Sequence, residues 1–218
     1  MLLAVEGTAQ KKINTSLKHE LDSIYAVDQK YRYLYSPKKN DKQADSLANL
    51  YGVSKQDLNS FLTVKMEEVD NSNLKRVEEI LKQYGYPGKS LVGAPTNEAV
   101  YFVLQHSPKI SAYIALIEQT ARKGELPFNL YAMMHDRLLL QAEKEQLYGT
   151  QVYGFVRANS QTGKEELNMF VWPIQDPKNV NKRRKEAGFE QTIEEYTKIH
   201  GVEYKVLTLE DVKKMKEK

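Results

Sequence analysis

The apolar residues of this chain keep a helical rhythm for roughly its first two thirds and change to a strand rhythm near Gly149. Over residues 12–35, Ile13, Leu17, Leu21, Ile24, Tyr25, Tyr31 and Leu34 recur at the spacing of one helix face. Thr15 and Ser16 are suited to cap that helix, and Ser36-Pro37 ends it, because a residue before proline avoids helical dihedrals. Similar spacing predicts helices over residues 54–69, from an Asp70 or Asn71 cap to Tyr84, and over 97–106, 110–123 and 128–143. Residues 149–158 are then β-branched and aromatic. In residues 166–174, Leu167, Met169 and Val171 alternate with Asn168, Phe170 and Trp172. The turn formers at 159–163 lie between these runs, which predicts a hairpin. Short helices follow at 180–187 and 191–199, then a short strand at 202–207 and a last charged helix capped by Thr208. The fold class expected is mainly α: a helical domain with a small β-hairpin near residues 149–174.

No internal repeat and no low-complexity linker interrupts the 218 residues, so residues 10–218 read as one domain. Residues 1–9 read differently. An apolar start, Met1 to Val5, is followed by Gly7 and Ala9 at the spacing of a signal-peptidase site. The expectation is the remnant of a signal peptide and a periplasmic or secreted protein, with a cytoplasmic protein as the alternative. No run of residues is long and apolar enough to span a bilayer.

The chain has no cysteine, which removes disulfides, zinc–thiolate sites, iron–sulfur clusters and thiol nucleophiles together. The net charge of +3 is too mild for a nucleic-acid binder, and Lys182, Arg183, Arg184 and Lys185 read as a solvated basic helix face. There is no GxGxxG, no P-loop, no GxSxG and no HExxH. His106, His135 and Asp136 could make a three-ligand set, but without a metal-site spacing no metal and no cofactor is expected.

Polar residues in apolar surroundings carry what chemistry there is. The segment 128–143 is apolar nearly all round, yet holds His135, Asp136 and Arg137, whose unpaired burial would cost several kcal/mol. Either a buried Asp–Arg network stitches helices together or the group forms a site. His106, after Gln105, ends an apolar run, where the helix dipole favours it; the alternative is an acid or base facing Asp136. Tyr148-Gly149-Thr150-Gln151 brings hydrogen-bonding groups to a helix–strand junction. Asp28 and Arg32, four apart, form an ordinary surface or interhelical ion pair in the plainer reading. Tyr31, Tyr33 and Tyr35 could present a partner surface or pack on helix edges.

Taken in order, Asp28-Gln29 with Arg32, Tyr84-Gly85-Tyr86-Pro87, Gly93, Gln105-His106, Tyr131-Ala132 with Asp136-Arg137, Tyr148 to Gln151, Arg183-Arg184 with Gly188, and Glu195-Tyr196 resemble the signature of a bacterial family known as a domain of unknown function. The resemblance spans roughly residues 17–196. It implies an exported protein in some members and implies no activity. The segment after His200 is less typical of it.

Three function classes stay open. One is a binding protein for a small polar or anionic ligand, using Gln105, Arg137, Tyr148, Gln151, Asp28 and Arg32. A second is a hydrolase or lyase with His106 as acid or base and Asp136 orienting it. The third is a structural or interaction protein with no site. The oligomeric state cannot be read from the sequence.

Overall fold

A computed structural model describes residues 12–35, 40–158 and 163–217. The signal-peptide reading at residues 1–9, the Ser36-Pro37 stop and most of the hairpin turn lie outside the described residues. The chain divides into two compact units, Met1–Lys109 and Ile110–Lys218. The division falls in the short step between helices ending at His106 and beginning at Ile110. It has no linker composition, so the sequence carries no mark of it.

The first unit contains helices α1 (Thr15–Leu34), α2 (Asp41–Tyr51), α3 (Leu58–Tyr84), α4 (Lys89–Val92) and α5 (Ala99–His106). A 3-10 turn at Thr96–Glu98 leads into α5. The cap of α1 is Asn14, whose side chain accepts from the Leu17 N–H; Thr15 is already helical. Helix α1 packs on both α3 and α5, and α3 also touches α5. The buried stripe of α1 is Leu17, Leu21, Ile24 and Asp28. These positions are steps of four, three and four along one helix face. The fourth position of an apolar stripe is therefore held by a carboxylate.

Helix α3 differs from expectation. Two helices with a start at Asp70 or Asn71 are predicted, but Leu58–Tyr84 is one helix of 27 residues. Asp, Asn and Ser are weak helix formers and favoured caps, so the run 70–73 looks like a start. Tertiary partners keep it helical. Asp70 faces Arg32 of α1, and the buried Asn73 donates to the Ile24 carbonyl at 3.4 Å.

The second unit contains α6 (Ile110–Arg122), α7 (Phe128–Gln141), the antiparallel strands β1 (Val152–Ala158) and β2 (Glu165–Val171), α8 (Val180–Glu186), α9 (Ile193–Ile199) and α10 (Leu209–Glu217). Pro127 precedes α7, and α7 packs on α6. The hairpin runs in register from Val152 opposite Val171 to Ala158 opposite Glu165. Its Tyr153, Phe155, Phe170 and Trp172 face packs with Leu207, Val212 and Met215, so the charged last helix covers an aromatic surface. Val156, Leu167 and Met169 are exposed. At the base of the hairpin, Val171, Ile174, Val180, Ile193 and Val202 form a second cluster. The segment 202–207, read from sequence as a strand, has no ladder among the described residues. Val202 is instead held by packing. The protein is thus mainly helical with one small hairpin, as its periodicity indicates.

Candidate functional site

The polar residues singled out in the sequence gather at two points, one in each unit.

In the first unit, Asp28 projects from the core stripe of α1, Asp70 from the middle of α3 and His106 from the last turn of α5. Arg32, one turn beyond Asp28, lies among them. Its Nε donates to His106 Nδ1 at 3.0 Å, and its Nη2 donates to Asp70 Oδ1 at 2.5 Å. Arg32 Nε also lies 3.5 Å from Asp28 Oδ2, and His106 Nδ1 lies 3.5 Å from the same oxygen. Because Nδ1 accepts from Arg32, its contact with Asp28 sets acceptor against acceptor. Gln29 Nε2 donates to Asp28 Oδ2 at 2.7 Å. Asp28 Oδ1 is buried and receives no hydrogen bond from any described residue. The Asp28 side chain is 0% exposed, against 21% for Arg32 and His106 and 28% for Asp70. One guanidinium thus serves two carboxylates and a ring nitrogen, so negative charge exceeds positive in the cluster.

The structure brings together Asp28, Arg32 and His106, which the sequence singled out separately. It adds Asp70, which sequence reasoning took for a helix cap. Gln105 is half-buried beside His106 on α5. One signal was available in advance: Asp28 continues the Leu17, Leu21, Ile24 spacing and so had to be buried. The Asp28–Arg32 pair, read from sequence as a surface or interhelical ion pair, sets a buried carboxylate beside a partly exposed guanidinium.

In the second unit, Asp136 of α7 is 0% exposed. Its carboxylate accepts from the backbone N–H groups of Leu147 at 2.7 Å, Tyr148 at 3.1 Å and Thr150 at 3.0 Å, and from Thr150 Oγ1 at 3.0 Å. Burial pushes its carboxyl upward, against the opposite pull of these donors. The rest of the loop is held as fully. The buried Gln146 side chain accepts from the Gln151 N–H at 2.8 Å and donates to the Gln151 and Trp172 carbonyls at 3.1 and 2.7 Å. Gln151 Nε2 reaches Met133 O at 3.3 Å and Thr150 Oγ1 at 3.0 Å. Tyr196 donates to the Thr150 carbonyl at 2.8 Å.

The two arginines of α8 complete this network. Arg183 donates to Leu147 O at 2.9 Å and to Gln175 O at 2.5 Å. Arg184, 1% exposed, donates to Tyr148 O and Gln191 O, each at 2.9 Å. Its guanidinium lies 4.7 Å from the Phe189 ring centre and 5.0 Å from that of Tyr196. These arginines are therefore not a solvated basic face, apart from the exposed Lys182 and Lys185 beside them. Gly149 has φ of +69°, and a Cβ there would lie 2.6 Å from Ile193 Cδ1. Arg137 is half-buried on α7, next to Asp136. Asp136 and the motifs at 148–151, 183–184 and 196 thus converge on one loop, most of whose polar groups bond to one another; Arg184 Nη2 is buried without a hydrogen-bond partner among the described residues.

His106 and Asp136 fall in different units, and each has its hydrogen-bond partners within its own. His135, also on α7, stacks on Tyr131 with ring centres 5.6 Å apart. Among the described residues, Asp28, Asp70 and His106 are the group whose ligand-type atoms converge, all within 4.8 Å of one another. No described helix is long and apolar enough to cross a membrane.

Together these features define a mainly helical, two-unit protein with a carboxylate–imidazole cluster in one unit and a self-bonded loop in the other. Residues 52–208 match the Family of unknown function (DUF6624), and the chain belongs to that family. The match takes in Asp70, His106 and the whole loop network, and runs on past His200. Asp28, Gln29 and Arg32, which the motif resemblance included, lie before it. No curated protein and no solved structure matches the chain.

Proposed function

We propose that the protein binds a small polar ligand at the Asp28, Arg32, Asp70 and His106 cluster, and that the group recognised is a donor or a cation. One observation carries this reading: Asp28 Oδ1 is buried and accepts no hydrogen bond from a described residue, in a cluster where two carboxylates share one guanidinium. An unsatisfied buried acceptor costs about 1–3 kcal/mol, and more when it is charged. A ligand that donates to it would recover that cost on binding. The cluster's excess of negative charge argues against the anionic ligand considered from sequence. In this reading Asp136, Tyr148 and Gln151 shape the loop of the second unit and make no ligand contact. Titration calorimetry with a panel of small ammonium and guanidinium compounds is the test. Saturable binding that Asp70→Asn removes from a folded protein supports the reading. Binding that ignores the substitution rejects it.

A second reading, an acid–base enzyme, draws on His106. Arg32 holds Nδ1 as an acceptor, which puts the ring proton on Nε2 of a partly exposed imidazole. Arg32, rather than Asp136, then orients the ring. Turnover of the bound compound, lost in His106→Gln, separates this reading from binding alone. An extracytoplasmic location belongs to the same proposal and draws only on the spacing of Gly7 and Ala9; fractionation of expressing cells tests it.

A further inference from the structure

We infer that Asp28, Asp70 and His106 form a divalent-cation site for which Arg32 is the competing internal cation. The inference rests on the reading that this cluster is a ligand site, and it names the ligand.

Three elements of the first unit each supply one donor atom to the group, and these atoms lie within 4.8 Å of one another. One imidazole nitrogen with two carboxylate oxygens suits zinc, manganese or ferrous iron, and is less suited to ions that prefer oxygen alone. Proximity of acidic groups would not be enough. The independent observation is Asp28 Oδ1, buried and without a donor, on the same carboxylate whose Oδ2 faces both Arg32 and His106 at 3.5 Å. A doubly charged ion bound to this carboxylate would compensate it more fully than Arg32 does, whereas an anion would face two carboxylates with one guanidinium between them.

Bonds of about 2.0–2.2 Å to one ion would draw the donor atoms to about 3–4 Å apart. The 3.5 Å between His106 Nδ1 and Asp28 Oδ2 already falls in that range, and the guanidinium now bridges His106 and Asp70, at 3.0 and 2.5 Å. Arg32 lies in the last turn of α1 and is partly exposed, so it has a way out to solvent. The exchange leaves the carboxylates compensated throughout. A guanidinium holds them until a doubly charged ion replaces it.

The experiment uses the full chain after treatment with a chelator, titrated calorimetrically with Zn²⁺ and separately with Mn²⁺. Circular dichroism checks that each variant is folded. One saturable site is expected, weakened at least about tenfold in Asp70→Asn and His106→Gln, since each removes one of three ligands. Arg32→Gln is expected to tighten it about tenfold by removing the competitor, a change that a merely structural arginine would not produce. Metal binding that is absent, or unchanged by these substitutions, overturns the inference. If agmatine binds in an Asp70-dependent way and the metals do not, the inference falls and the ligand reading stands. If neither binds, both fall.

Discussion

Arg32 and His106 meet through Nε and Nδ1 at 3.0 Å, with the imidazole as acceptor. This bond ties the last turn of α1 to the last turn of α5. The same guanidinium ties both to the middle of α3 through Asp70. Three helices therefore share one cation, and its removal should be felt beyond any single pair.

Arg32→Ala should destabilise the protein by about 1–3 kcal/mol, because it leaves two carboxylates facing an imidazole with no cation. Asp70→Asn made in that background should restore part of the loss. A double-mutant cycle from urea unfolding followed by circular dichroism measures the coupling. Additive effects would show that Arg32 and Asp70 do not act as a pair.

Asp136→Ala should cost more, about 3–5 kcal/mol. It strands the amides of Leu147, Tyr148 and Thr150 together in the interior. Thr150→Val removes one donor and should cost about 1–2 kcal/mol. Trp172 is the chain's single tryptophan and lies in the second unit, bonded to the Lys144 carbonyl at 2.8 Å. Its fluorescence therefore reports unfolding there, and an unshifted transition in Asp136→Ala would refute the network.

Gly149→Ala and Gly124→Ala make a matched pair. Both positions have positive φ, +69° and +72°, so both lose backbone freedom. A new Cβ at Gly124 meets nothing within 4 Å, while at Gly149 it meets Ile193 and Ile174 within 2.9 Å. The expected loss is about 1 kcal/mol at Gly124 and about 2–4 kcal/mol at Gly149, read from thermal unfolding. Equal losses would remove the packing argument.

The pH dependence should carry the mark of Asp136. Burial raises its carboxyl above the ordinary carboxylate value. A group raised in the folded state contributes stability that is fully present below its unfolded pKa and is lost as pH rises through its folded pKa. The stability gap between the parent and Asp136→Ala should therefore widen as pH is lowered from 7 toward 4. A gap that narrows over this interval would mean that the amide donors outweigh burial.

The helices, the hairpin and the change between them were legible because each buries one face, and period alone reports that. Asp28 continues the stripe begun by Leu17, Leu21 and Ile24, yet a carboxylate four residues from an arginine reads first as an ion pair, and so its burial went unread. Asp70 was not legible either. Asp-Asn-Ser is the composition of a helix start, and only the arrival of Arg32 from another helix explains why α3 continues through it. The segment 202–207 has strand-like residues but no partner strand among the described residues, and a partner is a tertiary fact. Arg183 and Arg184 carry no sign in the sequence that carbonyls and aromatic rings await them. The motifs at 136, 148–151 and 183–184 stand far apart in the sequence, and their mutual bonding is visible only in three dimensions.

The loop that closes on Asp136 turns three backbone N–H groups, those of Leu147, Tyr148 and Thr150, toward one carboxylate, much as backbone nests trap phosphate or sulfate. Here the trapped anion is a side chain of the same chain, delivered by α7 and unable to diffuse away. The nest is filled from within, so its order does not depend on anions in solution. Asp136→Gly would open it, and formate or phosphate should then return to the loop, from outside, the charge that the substitution took away.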